Sequence, residues 1–323
     1  MNRIATFLTV ICMLSGCAPR EGMVAIDIEP GRLPPPDTTL KLRGLDPCTD
    51  SPDRSLQLNS SQPVNVLVHG CFGSSGQFRG LAQVLAFHGQ QAACFTYDDR
   101  ASLTDSATEL RRVIKQLAEQ SHVPQITVIG HSQGAVVARK SLTESLLAPL
   151  PNHPVDLRLV TVSGPFAGTG LARTCGRVWL YPLTLGLLPL SCYVATGAKW
   201  ADITYSSRFI LKPGELSQQV LNYLKIDTGE RDACRREEDG RCVESDDIFS
   251  LAEQRNPVVE TDSRMRRVQV NAGHAEIVGD KRAAPRKLIA ILQDQGVLRL
   301  TAPGQMPAFD LLLSQIYLDR ELK

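Results

Sequence analysis

The chain has 323 residues, 43 % of them hydrophobic, which is enough apolar material for one large globular domain with a full core. Its 35 basic and 34 acidic residues are interspersed and leave a net charge of +1, so no electrostatic footprint for nucleic acid exists and a neutral or apolar substrate is expected. No internal repeat or low-complexity tract divides the sequence.

Residues 1–16 read as an export signal. Asn2-Arg3 is a short positive segment, and Ile4 to Leu14 is apolar but shorter than the roughly 20 residues of a membrane-spanning helix. Leu14-Ser15-Gly16-Cys17 follows directly and resembles the lipobox of bacterial lipoproteins, in which cleavage precedes the cysteine and the new N-terminus is acylated. That resemblance implies lipidation at Cys17 and a membrane anchor in the cell envelope. With Ala18 rather than Asp next, it implies the outer membrane. Residues 17–63 are rich in proline and polar side chains, including Pro34-Pro35-Pro36, and read as a tether and irregular lead-in to a main domain over 64–323.

The periodic pattern begins with the β-branched run Val64 to Val68, ending in His69-Gly70, followed by a helix around Phe78 to His88 and a strand at Ala92 to Tyr97. Leu110, Val113, Ile114 and Leu117 recur at helical spacing and predict an amphipathic helix over Leu103 to Gln120. Further strands are expected at Ile126 to Ile129, Leu157 to Val162, Leu221 to Ile226 and Arg267 to Asn271. Strands alternating with helices predict an α/β fold with a mostly parallel sheet covered on both faces.

Gly130-His131-Ser132-Gln133-Gly134 lies between one of these strands and the helix-forming run Ala135 to Lys140. Glycines on both sides of a serine let the chain turn sharply from strand to helix and present a strained nucleophile, the arrangement of a G-x-S-x-G elbow. A serine oxygen is a poor nucleophile alone. It needs a base, an orienting acid and oxyanion donors.

With this elbow, the strand ending His69-Gly70 and the segment Asp202 to Ile210, the chain resembles an α/β-hydrolase, similar to bacterial lipases and esterases, over roughly Val64 to Gln293. In the lipase segment D-[LM]-x-P-G-S-x-F-L, Tyr205 and Ser206 replace the proline and glycine here. The resemblance implies a triad in the order serine, acid, histidine, with Ser132 as nucleophile. His153 comes too early to follow an acid loop, whereas His274 follows the last expected strand and a short turn, and is the expected base. The acid belongs in the loop after Leu221 to Ile226. Asp246, followed by Asp247-Ile248-Phe249, is the first choice; Asp232, after Gly229-Glu230-Arg231, and Asp247 remain open. The resemblance further implies backbone oxyanion donors at Gln133 and Cys71.

Export makes disulfides the default for cysteine. Of nine cysteines, Cys12 leaves with the signal and Cys17 carries lipid. Cys234 with Cys242 and Cys175 with Cys192 each bracket a short insertion and are expected to pair locally; a bridge from Cys71 to Cys48 is compatible with a backbone role for Cys71. No metal-binding spacing is present, and the chemistry requires no metal or organic cofactor. Val178 to Leu190 is the least polar stretch of the mature chain and is expected to form an apolar lid insertion at about 165–200. The expected activity is a serine hydrolase of lipid or acyl esters. An acyltransferase, thioesterase or deacylase on envelope substrates, or a non-catalytic lipid-binding lipoprotein, are the alternatives.

Overall fold

The computed structural model describes residues 32–317 except 50–51, 72–77, 147–148, 152–153, 173, 176, 178 and 281. The expected signal segment, Cys17 and His153 lie outside the described residues. The lead-in is not wholly irregular: it carries β1 (Thr38–Leu40), β2 (Leu45–Asp46) and β3 (Leu56–Leu58). Leu45, Leu56 and Leu58 are buried in the main core, so the domain starts before residue 64. Strands this short, set among prolines, carry no alternation long enough to read from sequence.

The expected alternation follows as β4 (Val64–Val68), α1 (Arg79–Phe87), β5 (Gln91–Phe95), α2 (Leu103–Ser121), β6 (Gln125–His131), α3 (Gln133–Ser141) and β7 (Asp156–Val162). A long insertion holds α4 (Leu180–Leu183), α5 (Leu187–Thr196), α6 (Lys199–Ile203) and α7 (Arg208–Leu211). It leads into β8 (Val220–Gly229), the ribbon β9 (Cys234–Glu238) and β10 (Arg241–Ser245), then α8 (Pro257–Glu260) and β11 (Met265–Asn271). Helices α9 (Arg286–Asp294) and α10 (Met306–Tyr317) close the chain's described part.

Seven strands form the main sheet in the order β11-β8-β7-β6-β4-β5-β2. All pair in parallel except β2, which runs antiparallel on β5. Every residue of β4 is buried, as expected of a central strand covered on both faces. Val64, Val66 and Val68 face one core with Leu110, Val113 and Leu117 of α2; Leu67 faces the other with Leu85 of α1, Leu288 of α9 and Leu313 of α10. Burying such a side chain contributes about 1.5–3 kcal/mol, so these two layers fix the sheet and every loop leaving its C-terminal edge. Helix α2 starts where Ser102 Oγ accepts from Thr104 and Asp105 N–H, and ends at His122 in the left-handed region, φ 58°.

Candidate active site

Strands β4, β6, β8 and β11 all deliver their last residues to one edge of the sheet, where loops are free to carry chemistry. At the end of β6, Ser132 has φ 57° and caps α3, which turns the chain abruptly back over the sheet. Added Cβ atoms show why the neighbours are glycines. One on Gly130 would lie 2.4 Å from the Gly134 carbonyl, and one on Gly134 would lie 2.3 Å from the Val68 carbonyl. The positive φ at Ser132 is a strained conformation for a serine, held by its N–H bond to the Val162 carbonyl at 2.9 Å and by helix packing. Ser132 Oγ makes no hydrogen bond to another described residue.

His274 lies in the loop after β11, beside the residue preceding the elbow serine. Its carbonyl accepts from His131 Nε2 at 2.9 Å, the two rings are 4.7 Å apart, and Phe249 stands edge-on to the His274 imidazole at 4.9 Å. Its Nδ1 donates to Glu230 Oε1 at 2.9 Å. Glu230, the first residue after β8, is 1 % exposed, against 5 % for both Ser132 and His274. The carboxylate also accepts from Thr228 Oγ1 at 2.7 Å and from the N–H groups of Ile248 and Phe249 at 2.9 and 2.8 Å.

The expected placement of Asp246 at the imidazole is therefore corrected. Asp246 is buried, but its carboxylate accepts from the Ala275 N–H at 2.9 and 3.0 Å and from the Glu276 N–H at 3.0 Å, while its carbonyl accepts from His274 N–H at 2.9 Å. It clamps the backbone that carries the histidine. Asp232 sits exposed in a turn at φ 63°, and Asp247 is exposed as well. The ribbon between Glu230 and Asp246 hides this division of labour in the sequence.

The two carboxyls are pushed in opposite directions. Burial acts to raise Glu230, but the His274 hydrogen bond and charge, the Phe249 amide and the Thr228 hydroxyl together hold it below the ordinary glutamate range. Burial dominates at Asp246 and lifts it above the ordinary aspartate range, against the amides of Glu276 and Ala275 and the charge of Arg235. Glu230 is thus the acid equipped to stay ionised beside an imidazole.

Gly70, the residue before Cys71, packs directly on the serine, since a Cβ there would come 2.8 Å from Ser132 Cβ. Tyr97 donates to the His69 carbonyl at 2.8 Å and stacks on the His69 ring at 4.4 Å, fixing the strand end. Gln133 follows the serine at the start of α3, where backbone N–H groups have no intrahelical partner. Cys71 forms no disulfide. Cys48 pairs instead with Cys94, as the β2 and β5 pairing of Asp46 with Cys94 dictates, while Cys175–Cys192 and Cys234–Cys242 are the local bridges expected.

A family model described as a domain of unknown function, DUF7379, matches residues 41–189. Comparison with curated proteins gives no match. The mature form of the Bacillus licheniformis lipase BlEst2 superposes with a TM-score of 0.51 over 81 % of this chain and 99 % of that one, at 15 % identity. Its propeptide form gives 0.54 over 83 % and 55 %, at 14 % identity. The chain has the α/β-hydrolase fold.

In the α/β-hydrolase frame, the insertion between β7 and β8 leaves the sheet at the edge that carries Ser132. The segment 178–198 contains no charged side chain, and the Cys175–Cys192 bridge staples it. Its apolar residues point outward: Leu183 is 71 % and Leu185 89 % exposed, and among the described residues of α5 Cys192 alone is buried. The segment following it is tied to the start of α2, Asp202 accepting from Ser102 Oγ and Leu103 N–H at 2.8 Å. A cavity of about 460 Å³ opens at the opposite edge of the sheet, between Gln62, Gln125, Arg158 and Arg299, far from the elbow. Among the described residues, no group of three or more His, Cys, Asp or Glu side chains is placed to hold a metal ion, and no helix is long and apolar enough to cross a membrane.

Proposed function

We propose that the chain is a serine hydrolase of carboxylic esters, with Ser132 as nucleophile, His274 as base and Glu230 as the orienting acid. The observation that carries this reading is the 2.9 Å bond from His274 Nδ1 to the buried Glu230 carboxylate, next to an elbow serine at φ 57°. The bond leaves Nε2 unprotonated, the tautomer that accepts the Ser132 proton as Oγ attacks an ester carbonyl. The N–H groups of Gln133 and Cys71 receive the developing oxyanion, each contributing about 3 to 4 kcal/mol to barrier lowering. The imidazolium then protonates the leaving alcohol, and His274 activates the water that releases the acid.

Lipid or long acyl esters are the substrates this chain favours, because the uncharged insertion at 178–198 offers an exposed apolar surface and leaves the sheet at the edge that carries the serine. Acylation at Cys17 would hold it in the cell envelope, at the outer membrane. A fluorophosphonate probe tests the core of the reading: wild type is labelled and Ser132→Ala is not, and equal labelling of both would end it. Cys17→Ser should abolish lipid labelling; persistence removes the anchor. In a p-nitrophenyl ester series, preference for short chains would replace a lipase with an esterase.

A further inference from the structure

The two proposed oxyanion donors lie on different elements, yet both are tied to one ion pair. Gln133 Nε2 donates to the Asp99 carbonyl at 3.0 Å. The Asp99 carboxylate pairs with Lys199 Nζ at 2.9 Å, and the same ammonium donates to Cys71 Sγ at 3.0 Å. Lys199 is 3 % exposed and opens α6, directly after the uncharged insertion. The neighbouring Arg100 grips the other side of that junction. Its guanidinium donates to the carbonyls of Val194 and Ala195 at 2.8 and 3.2 Å, at the end of α5, and its carbonyl accepts from Ala198 N–H at 2.7 Å.

A buried ion pair is weak evidence of stabilisation, because desolvation offsets most of its Coulomb gain and apolar residues of the same volume serve as well. A thiol is a poor acceptor for a lysine. Stability therefore does not account for a lysine placed here, whereas the position of both donors does. We infer that Asp99 and Lys199 are positioning residues that align the oxyanion donors and make that alignment depend on how the apolar insertion is seated. The inference rests on the hydrolase reading above and adds its control element: displacement of the insertion moves Lys199, and with it the segment bearing Cys71.

The test uses the full chain and two variants. Asp99→Asn/Lys199→Met removes both charges together at nearly constant volume, and Gln133→Leu cuts the second tie while keeping the Gln133-position N–H. Each should lower kcat at least about tenfold with KM within about twofold, a fraction of the effect of deleting a donor outright. The inhibition constant of a boronic acid, whose tetrahedral adduct occupies the hole, should rise by the same factor as kcat/KM falls. A purely structural pair would alter thermal unfolding without that proportionality. Should the double variant fail to fold, Lys199→Met alone, which removes the tie to Cys71 and the pairing with Asp99, decides. Labelled, folded variants with kcat within twofold of wild type would overturn the inference while leaving the hydrolase reading intact. Absence of probe labelling in wild type would remove both.

Discussion

Glu230 Oε1 accepts a hydrogen bond from His274 Nδ1 at 2.9 Å although 44 residues separate them in the chain. Strand pairing sets this: Asn271 of β11 lies opposite Gly229 of β8, so the residues just beyond both strand ends meet. Glu230→Gln should keep the fold and lower kcat by about 10³- to 10⁴-fold by favouring the wrong imidazole tautomer. Asp246→Asn should cost far less in kcat and more in thermal stability. Steady-state kinetics and melting curves on the two variants separate these roles; a larger kcat loss at Asp246 would reverse them.

The opposed shifts give a pH signature. Glu230 is held low in the fold, so its contribution to stability is present above the unfolded glutamate pKa of about 4.3 and is lost as pH falls through the folded value. Asp246 is held high, so its contribution is present below the unfolded aspartate pKa of about 3.9 and is lost as pH rises through the folded value. Urea unfolding between about pH 3 and 5 should show a shallower acid loss in Glu230→Gln than in wild type, and a steeper one in Asp246→Asn. Parallel curves for all three would contradict the assignment.

Gly273 is dictated by contact rather than by backbone freedom. A Cβ there would sit 2.2 Å from Asp246 Oδ2. Gly273→Ala must therefore push aside the clamp on the His274 loop, at a cost of about 1–3 kcal/mol for overpacking. Activity should fall by more than the loss of stability explains, measured as kcat at a temperature where the variant is fully folded.

The disulfides should differ in worth. Cys48–Cys94 closes 46 residues and Cys234–Cys242 closes 8. On chain entropy alone they contribute about 4 and about 2.5 kcal/mol. Cys48→Ser/Cys94→Ser should lower the urea midpoint more than Cys234→Ser/Cys242→Ser, and the reverse order would place the larger constraint in the ribbon.

The elbow at Ser132 and the place of His274 just beyond a strand were legible because each depends on local pattern: glycines around a serine behind a β-branched run, and a histidine three residues past a strand. Glu230 was not, although Gly229-Glu230 at the end of Leu221 to Ile226 was a signal that could have found it. The choice among carboxylates is made by the β8 and β11 register, which is a long-range property, and the loop that carries the inserted ribbon holds four aspartates, Asp232, Asp239, Asp246 and Asp247. Cys48 with Cys94 was missed for a similar reason, since the β2 edge pairing that joins them spans only Leu45–Asp46. The sheet and both helical layers were legible because their periodicity is long.

The strand that delivers His274 is the outermost of its half of the sheet. β11 touches only β8 within the sheet, none of its residues is fully buried, and Arg266, Arg267 and Gln269 guard its outer rim against stray pairing. Fraying of such an edge requires far less energy than opening the central strands. Heat inactivation should consequently set in before the core melts, and should reverse on cooling for as long as β6 and the serine elbow stay in place.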